Sequence, residues 1–207
     1  MGVLHHSLKT KTLFLELTTT PIQVLTNGFD FEVTSDSTLD SKFTLSHIGS
    51  LHEGRNPSVL WRVLSELLVE SEAFATAFQL NLIGNISAEV MDTLKRFGLE
   101  NYICNRGYVP HNTLLEYQKK TQLLLLIEED SKETEYIIPG KLFEYMASKR
   151  PIIAIGPEVS DIEKIINQTR SGTYFRYDEA TPLRAQLAQH FEAYKTKRLF
   201  VDSIGLD

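Results

Sequence analysis

A lysine and a glutamate nearly one helical turn apart, Lys141 and Glu144, follow Pro139-Gly140 and lie among the apolar residues Leu142, Phe143 and Met146. Apolar runs on either side make this stretch a helix between two strands. The first turn of a helix carries unpaired N–H groups and the positive end of the helix dipole, so it favours an anion. Gly140 lets backbone approach such an anion closely, and Lys141 adds positive charge. Glu144 sits one turn in, where a carboxylate can accept hydrogen bonds from two neighbouring sugar hydroxyls. The alternative is that Glu144 only complements the dipole and Lys141 is solvated.

Other chemistry finds less support. Gly140-Lys141 lacks the first glycine of a P-loop, and Leu142 stands where a magnesium-holding Ser or Thr would be. No Gly-x-Gly-x-x-Gly follows the first strand of the repeating pattern, which removes the main support for a dinucleotide. His52 and His111 fall in loops where they can touch a phosphate or a base. His47 reads as a strand residue, His190 as a helix-face residue, and His5 and His6 as solvated. No spacing makes a metal triad. The acidic cluster Glu128-Glu129-Asp130 has the chemistry to hold a cation, but a solvated loop is the stronger expectation.

The elements that position these residues are strands and helices in alternation. Expected strands are residues 43–48, 78–83, 102–104, 123–127, 151–155 and 173–177. The run Leu123-Leu124-Leu125-Leu126-Ile127 is apolar throughout, as a central strand buried on both faces is. Asn56 is expected to cap a helix that has Pro57 at its first position, with Val59, Leu60, Val63, Leu64, Leu67 and Leu68 as the apolar face. Ser87 caps a helix to about Phe97, with Gly98 as its stop. Thr113 and Glu116 have capping-box spacing, residues 141–148 and 161–168 are helical, and Thr181-Pro182 opens a last helix. This alternation predicts an α/β fold, a Rossmann-like parallel sheet with helices on both faces, over residues 41–200. Residues 1–40 read as an N-terminal extension and linker, with a short strand at residues 22–25 and a turn at Asn27-Gly28. In such a fold ligands bind at the carboxyl ends of the strands, so the candidate loops follow Ile48, Ile83, Gly107, Ile127 and Ile155.

Composition sets the class. The 207 residues are 42% hydrophobic and 23% charged, which suits a folded domain and excludes a disordered chain. The formal charge of −6 argues against a nucleic-acid partner. The single cysteine, Cys104, excludes an internal disulfide and fits a reducing cytoplasm; its apolar neighbours Tyr102 and Ile103 make a buried, inert thiol the expectation. No apolar run approaches the ~20 residues that span a bilayer.

The residues also carry a likeness. Gly-Lys-Leu-Phe-Glu-Tyr-Met-Ala at 140–147, followed by Lys-Arg-Pro-Ile-Ile-Ala, resembles the donor-site signature of the GT-B glycosyltransferases, family 4 in particular. Thr26-Asn27-Gly28-Phe29-Asp30 resembles the entry into that family's C-terminal domain. His47-Ile48-Gly49-Ser50-Leu51 with Gly54-Arg55-Asn56-Pro57 resembles its phosphate loop, and Gly107-Tyr108-Val109-Pro110-His111 its loop near the nucleotide base. The resemblance runs over about residues 22–175.

It implies half of a GT-B fold, the donor-binding domain of a retaining glycosyltransferase in glycan or polysaccharide assembly. The donor is a nucleoside-diphosphate sugar of UDP or GDP type, with no bound cofactor and no metal. Glu144 would bind the ribose hydroxyls, while Arg55 and Lys141 would neutralise the diphosphate beside Gly49 and Gly140. Tyr108 and Val109 would border the base, and residues 128–139 would face the donor sugar. The family often has two glutamates with seven residues between them. Tyr136 stands at the first position, so Glu135 serves if the loop bulges, or Glu133 serves, or neither. Ser50 replaces an arginine, and Asn56 stands where a lysine is expected beside Arg55. No catalytic residue is identified. The acceptor domain is expected to lie outside this chain, and the full enzyme is compatible with a peripheral membrane contact and a homodimer. The competing expectations are a non-catalytic module of the same fold and a fragment of a nucleotide-sugar epimerase.

Overall fold

The computed structural model describes residues 3–5, 22–24, 38–134 and 137–197. The turn at Asn27-Gly28 and the sites at Glu135 and Tyr136 lie outside the described residues. Two short strands, β1 (Val3–His5) and β2 (Ile22–Val24), pair in parallel apart from the main sheet.

The main sheet has six parallel strands: β3 (Phe43–Ile48), β4 (Phe78–Ile83), β5 (Ile103–Gly107), β6 (Leu123–Ile127), β7 (Ile152–Gly156) and β8 (Gly172–Arg176). Their spatial order is β5-β4-β3-β6-β7-β8. The helices are α1 (Ser58–Glu70), α2 (Glu72–Ala77), α3 (Ala88–Arg96), α4 (His111–Lys120), α5 (Gly140–Ala147), α6 (Asp161–Thr169) and α7 (Ala180–Lys195). The expected doubly covered Rossmann-like sheet is therefore observed.

Side-chain alternation along β6 explains its uniform apolarity. Leu123, Leu125 and Ile127 enter a core built with α1, α3 and α7, while Leu124 and Leu126 enter a second core built with α5 and α6. At the amino end of β3, Phe43 packs with Phe74, Phe78 and Phe191 at ring separations of 5.4 to 6.4 Å.

Several local expectations are corrected. Asn56 does not cap α1, which starts after Pro57 with no side-chain cap; its amide is engaged elsewhere, as described below. Thr113 and Glu116 form no capping box, because α4 begins two residues earlier, at His111 after Pro110. Cys104 is half-buried rather than buried, since β5 is the edge strand and one of its sides has no neighbour. The short helix α2, capped by Ser71 accepting from the Phe74 amide, was not expected from the sequence. Ser87 caps α3 as expected, accepting from the Val90 amide, and Gly98 follows at φ +71°.

Candidate functional site

The strand order reverses between β3 and β6, and there the sheet splits. The two strands share only the registered pairs Leu45 with Leu123 and Ser46 with Leu124. Beyond these, side chains bridge the gap. His47 Nδ1 lies 3.1 Å from the Leu125 carbonyl, which accepts its proton. The Tyr145 hydroxyl of α5 accepts from the Ile48 amide at 3.0 Å and donates to the Ile48 carbonyl. At the carboxyl edge beside this wedge lies an open cavity between the loops that follow β3 and β6. Such a crevice at the point where strand order reverses is where open α/β sheets take their ligands.

Arg55 and Lys141 line this cavity with Glu128, Glu129, Thr134, Ile137 and Pro139. Lys141 sits in the first turn of α5, and its Nζ is directed at Gly49, where an added Cβ would lie 3.3 Å from it. Gly49 has φ +120°, a conformation side chains rarely adopt. A Cβ at the adjacent Gly84 would run into the Gly49 carbonyl. These glycines let the backbone of the loop after β3 come close beneath the lysine. Gly140 has nothing within 4 Å of where its Cβ would be, so the α5 N-terminus faces open space.

Neither Arg55 nor Lys141 has an ion pair or side-chain hydrogen bond among the described residues. Burial, together with the positive charge of Arg55, pushes the Lys141 ammonium down to about 8. Positive charge beside a helix N-terminus favours an anion, and the Glu128 and Glu129 carboxyls line the same cavity. His47 adds no charge, because burial and the Lys141 charge push it down to about 3.

Arg55 ends a short 3-10 turn, Glu53–Arg55. The next residue is pinned: Asn56 Oδ1 accepts from Trp61 Nε1 at 2.8 Å, and its Nδ2 donates to Thr93 Oγ1 at 3.0 Å. The amide thus ties the Arg55 loop to α1 and α3 rather than capping a helix.

The remaining sequence candidates do not line the cavity. Glu144 lies one turn behind Lys141, half-buried, and accepts from Gln118 Nε2 of α4 at 3.1 Å. Tyr108, at the end of β5, is 90% exposed, whereas Val109 packs against the core beneath it. His52 and His111 are exposed. Among the described residues no group of three or more His, Cys, Asp or Glu is placed to hold a metal, and no helix is long and apolar enough to cross a membrane.

Glu128 is a correction. It is not solvated; it is only 6% exposed. Its amide still bonds the Ile155 carbonyl at 2.8 Å, so the ladder runs one residue past β6. Its side chain then continues the Leu124, Leu126 face. Ser160 donates to the carboxyl at 2.9 Å and Tyr174 at 2.8 Å. Burial raises the carboxyl to about 7 against the lowering effects of Tyr174, Ser160 and Arg55. The signal in the sequence was alternation: extending the apolar pattern of β6 by two places lands on Glu128.

Comparison with known proteins bears on the fold. No protein-family model matches the chain, and no curated protein matches it. Solved structures do. HepE from Anabaena, solved with UDP, superposes with a TM-score of 0.73 at 14% identity, over 97% of this chain and 57% of that one. WaaG, a glycosyltransferase involved in lipopolysaccharide biosynthesis, gives 0.69 at 15% identity, over 98% and 59%. The C-terminal domain of the group 1 glycosyltransferase LpcC from Francisella tularensis gives 0.58 at 14% identity, over 80% and 83%. The fold is that of a GT-B glycosyltransferase domain. The chain spans 57% of HepE and 59% of WaaG.

Proposed function

We propose that the chain is the donor-binding domain of a retaining glycosyltransferase of the family 4 type, using a nucleoside-diphosphate sugar of UDP or GDP type in glycan or polysaccharide assembly. The observation that carries the reading is the cavity at the β3/β6 split, lined by Arg55 and Lys141, which form no ion pair among the described residues, beside the α5 N-terminus. In this reading the diphosphate lies over Gly49, against Arg55, Lys141 and the amides from Gly140 on. Positive charge at that point stabilises the departing nucleoside diphosphate as negative charge develops on it. Glu144 receives the ribose hydroxyls, and the exposed Tyr108 ring borders the base. Acceptor recognition, a cytoplasmic location, peripheral membrane contact and a homodimer belong to the full enzyme in the same proposal.

The ribose role separates this reading from a plain anion site. UDP or GDP should bind more tightly than free pyrophosphate, and Glu144→Ala should remove that advantage while leaving pyrophosphate affinity unchanged. Equal binding of all three ligands, or an unaltered advantage in the variant, would contradict it.

A further inference from the structure

Glu128 is a buried carboxylate without an ion pair among the described residues, set in the wall of the cavity. Burying a carboxyl whose strong partners are two neutral hydroxyls costs stability, and the residues before it on the same face of β6, Leu124 and Leu126, are apolar. The surroundings are shaped to keep it. A Cβ at Gly156 would collide with both the Tyr174 hydroxyl and Glu128 Oε2. The Ser160 hydroxyl that holds the carboxyl also accepts from the Ile162 amide at 3.0 Å, fixing it to the start of α6. The carboxyl is thus held in one orientation in the cavity wall.

Its place along the edge gives it a task. The sheet order is β5-β4-β3-β6-β7-β8. Tyr108 follows β5 and Glu144 faces α4, so the nucleoside end lies toward that side. Arg55 and Lys141 mark the diphosphate at the β3/β6 split. Ser160 and Tyr174 hold Glu128 on the other side, toward β7 and β8. A donor lying along the edge therefore places the group beyond its diphosphate, the sugar, next to Glu128.

We propose that Glu128, held by Ser160 and Tyr174, determines donor specificity by accepting a hydrogen bond from a hydroxyl of the sugar. This rests on the donor-site reading above. Ring hydroxyls suit a carboxylate acceptor, and a charge-assisted hydrogen bond discriminates strongly against a ligand that lacks the donor.

The test is calorimetric titration of the full chain with UDP, UDP-glucose and UDP-N-acetylglucosamine, and with GDP and GDP-mannose. Glu128→Gln keeps the shape and a hydrogen-bonding amide; Glu128→Leu removes the acceptor, and thermal unfolding checks that both fold. At least one sugar nucleotide should bind tighter than its parent diphosphate. At pH 8, where the carboxyl is ionised, either substitution should cut the ratio of sugar-nucleotide to parent-diphosphate affinity by about 10-fold, the scale of one charge-assisted hydrogen bond; the ratio is the readout because the Glu128 charge also acts on Arg55. The proposal is overturned if sugar nucleotide and parent diphosphate weaken by the same factor, or if no sugar nucleotide binds tighter than its parent. Failure of both UDP and GDP to bind the unaltered chain is a distinct result that removes the donor-site reading itself.

Discussion

Replacing Glu128 by glutamine should make the protein more stable at pH 8 and change it little at pH 5. The carboxyl holds its proton to about 7 in the fold, against an ordinary value of 4.5, with burial as the main cause. The native state therefore binds more protons than the unfolded state between those values, and stability falls as pH rises through that window. The groups facing the carboxyl are Arg55 from the loop after β3, Ser160 and Asp161 from the start of α6, and Tyr174 from β8. The Arg55 charge favours ionisation and Asp161 opposes it. Converting the displacement at the usual rate gives a cost of about 3 kcal/mol at pH 8 and under about 1 kcal/mol at pH 5. Glutamine keeps the hydroxyl partners and removes the charge. Its gain should therefore be about 3 kcal/mol at pH 8, which raises Tm by roughly 6–12 °C for a chain of this size. Urea unfolding of both proteins at pH 5, 6, 7 and 8 reads this directly. A gain independent of pH, or a loss at pH 8, would refute the burial argument.

Other expectations concern the anion site. Lys141→Ala should weaken UDP or GDP binding by at least about 10-fold, the scale of one charge-assisted hydrogen bond. In the unaltered chain affinity should decline above pH 8 as the lysine, pushed down to about 8, loses its charge; titrations across pH 7 to 9.5 check both. Asn56→Ala leaves Trp61 Nε1 without its acceptor, and should cost about 1–3 kcal/mol in denaturant unfolding; by releasing the Arg55 loop it should also weaken diphosphate binding. Gly49→Ala forces a side chain into φ +120° with its Cβ 3.3 Å from Lys141 Nζ, and should cost about 1–3 kcal/mol of stability together with nucleotide affinity.

The sheet was largely legible in the sequence because its strands are short apolar runs between helices with clear faces. Residues 43–48, 78–83 and 123–127 matched at both ends, each run stopping at a glycine or a glutamate, Gly49, Gly84 or Glu128. Capping was less legible. Asn56 has the right chemistry for a cap, but Trp61 and Thr93, five and 37 residues away, compete for the same amide, and sequence spacing cannot weigh a contact made through the tertiary fold. The site was legible in part. Arg55 and Lys141 converge because both follow central strands. Glu128 was hidden because three acidic residues in a row look like a solvated loop, while only the first of them is still in the ladder with β7.

The central claim is that the cavity at the β3/β6 split binds a nucleoside diphosphate through Arg55 and Lys141. Calorimetric titration of the unaltered chain and the Arg55→Ala/Lys141→Ala double variant with UDP and GDP tests it most directly. Saturable binding of one of them by the unaltered chain, abolished in a double variant that still unfolds cooperatively, is the predicted result. Binding that persists in the double variant, or no binding of either nucleotide by the unaltered chain at millimolar concentration, would contradict it.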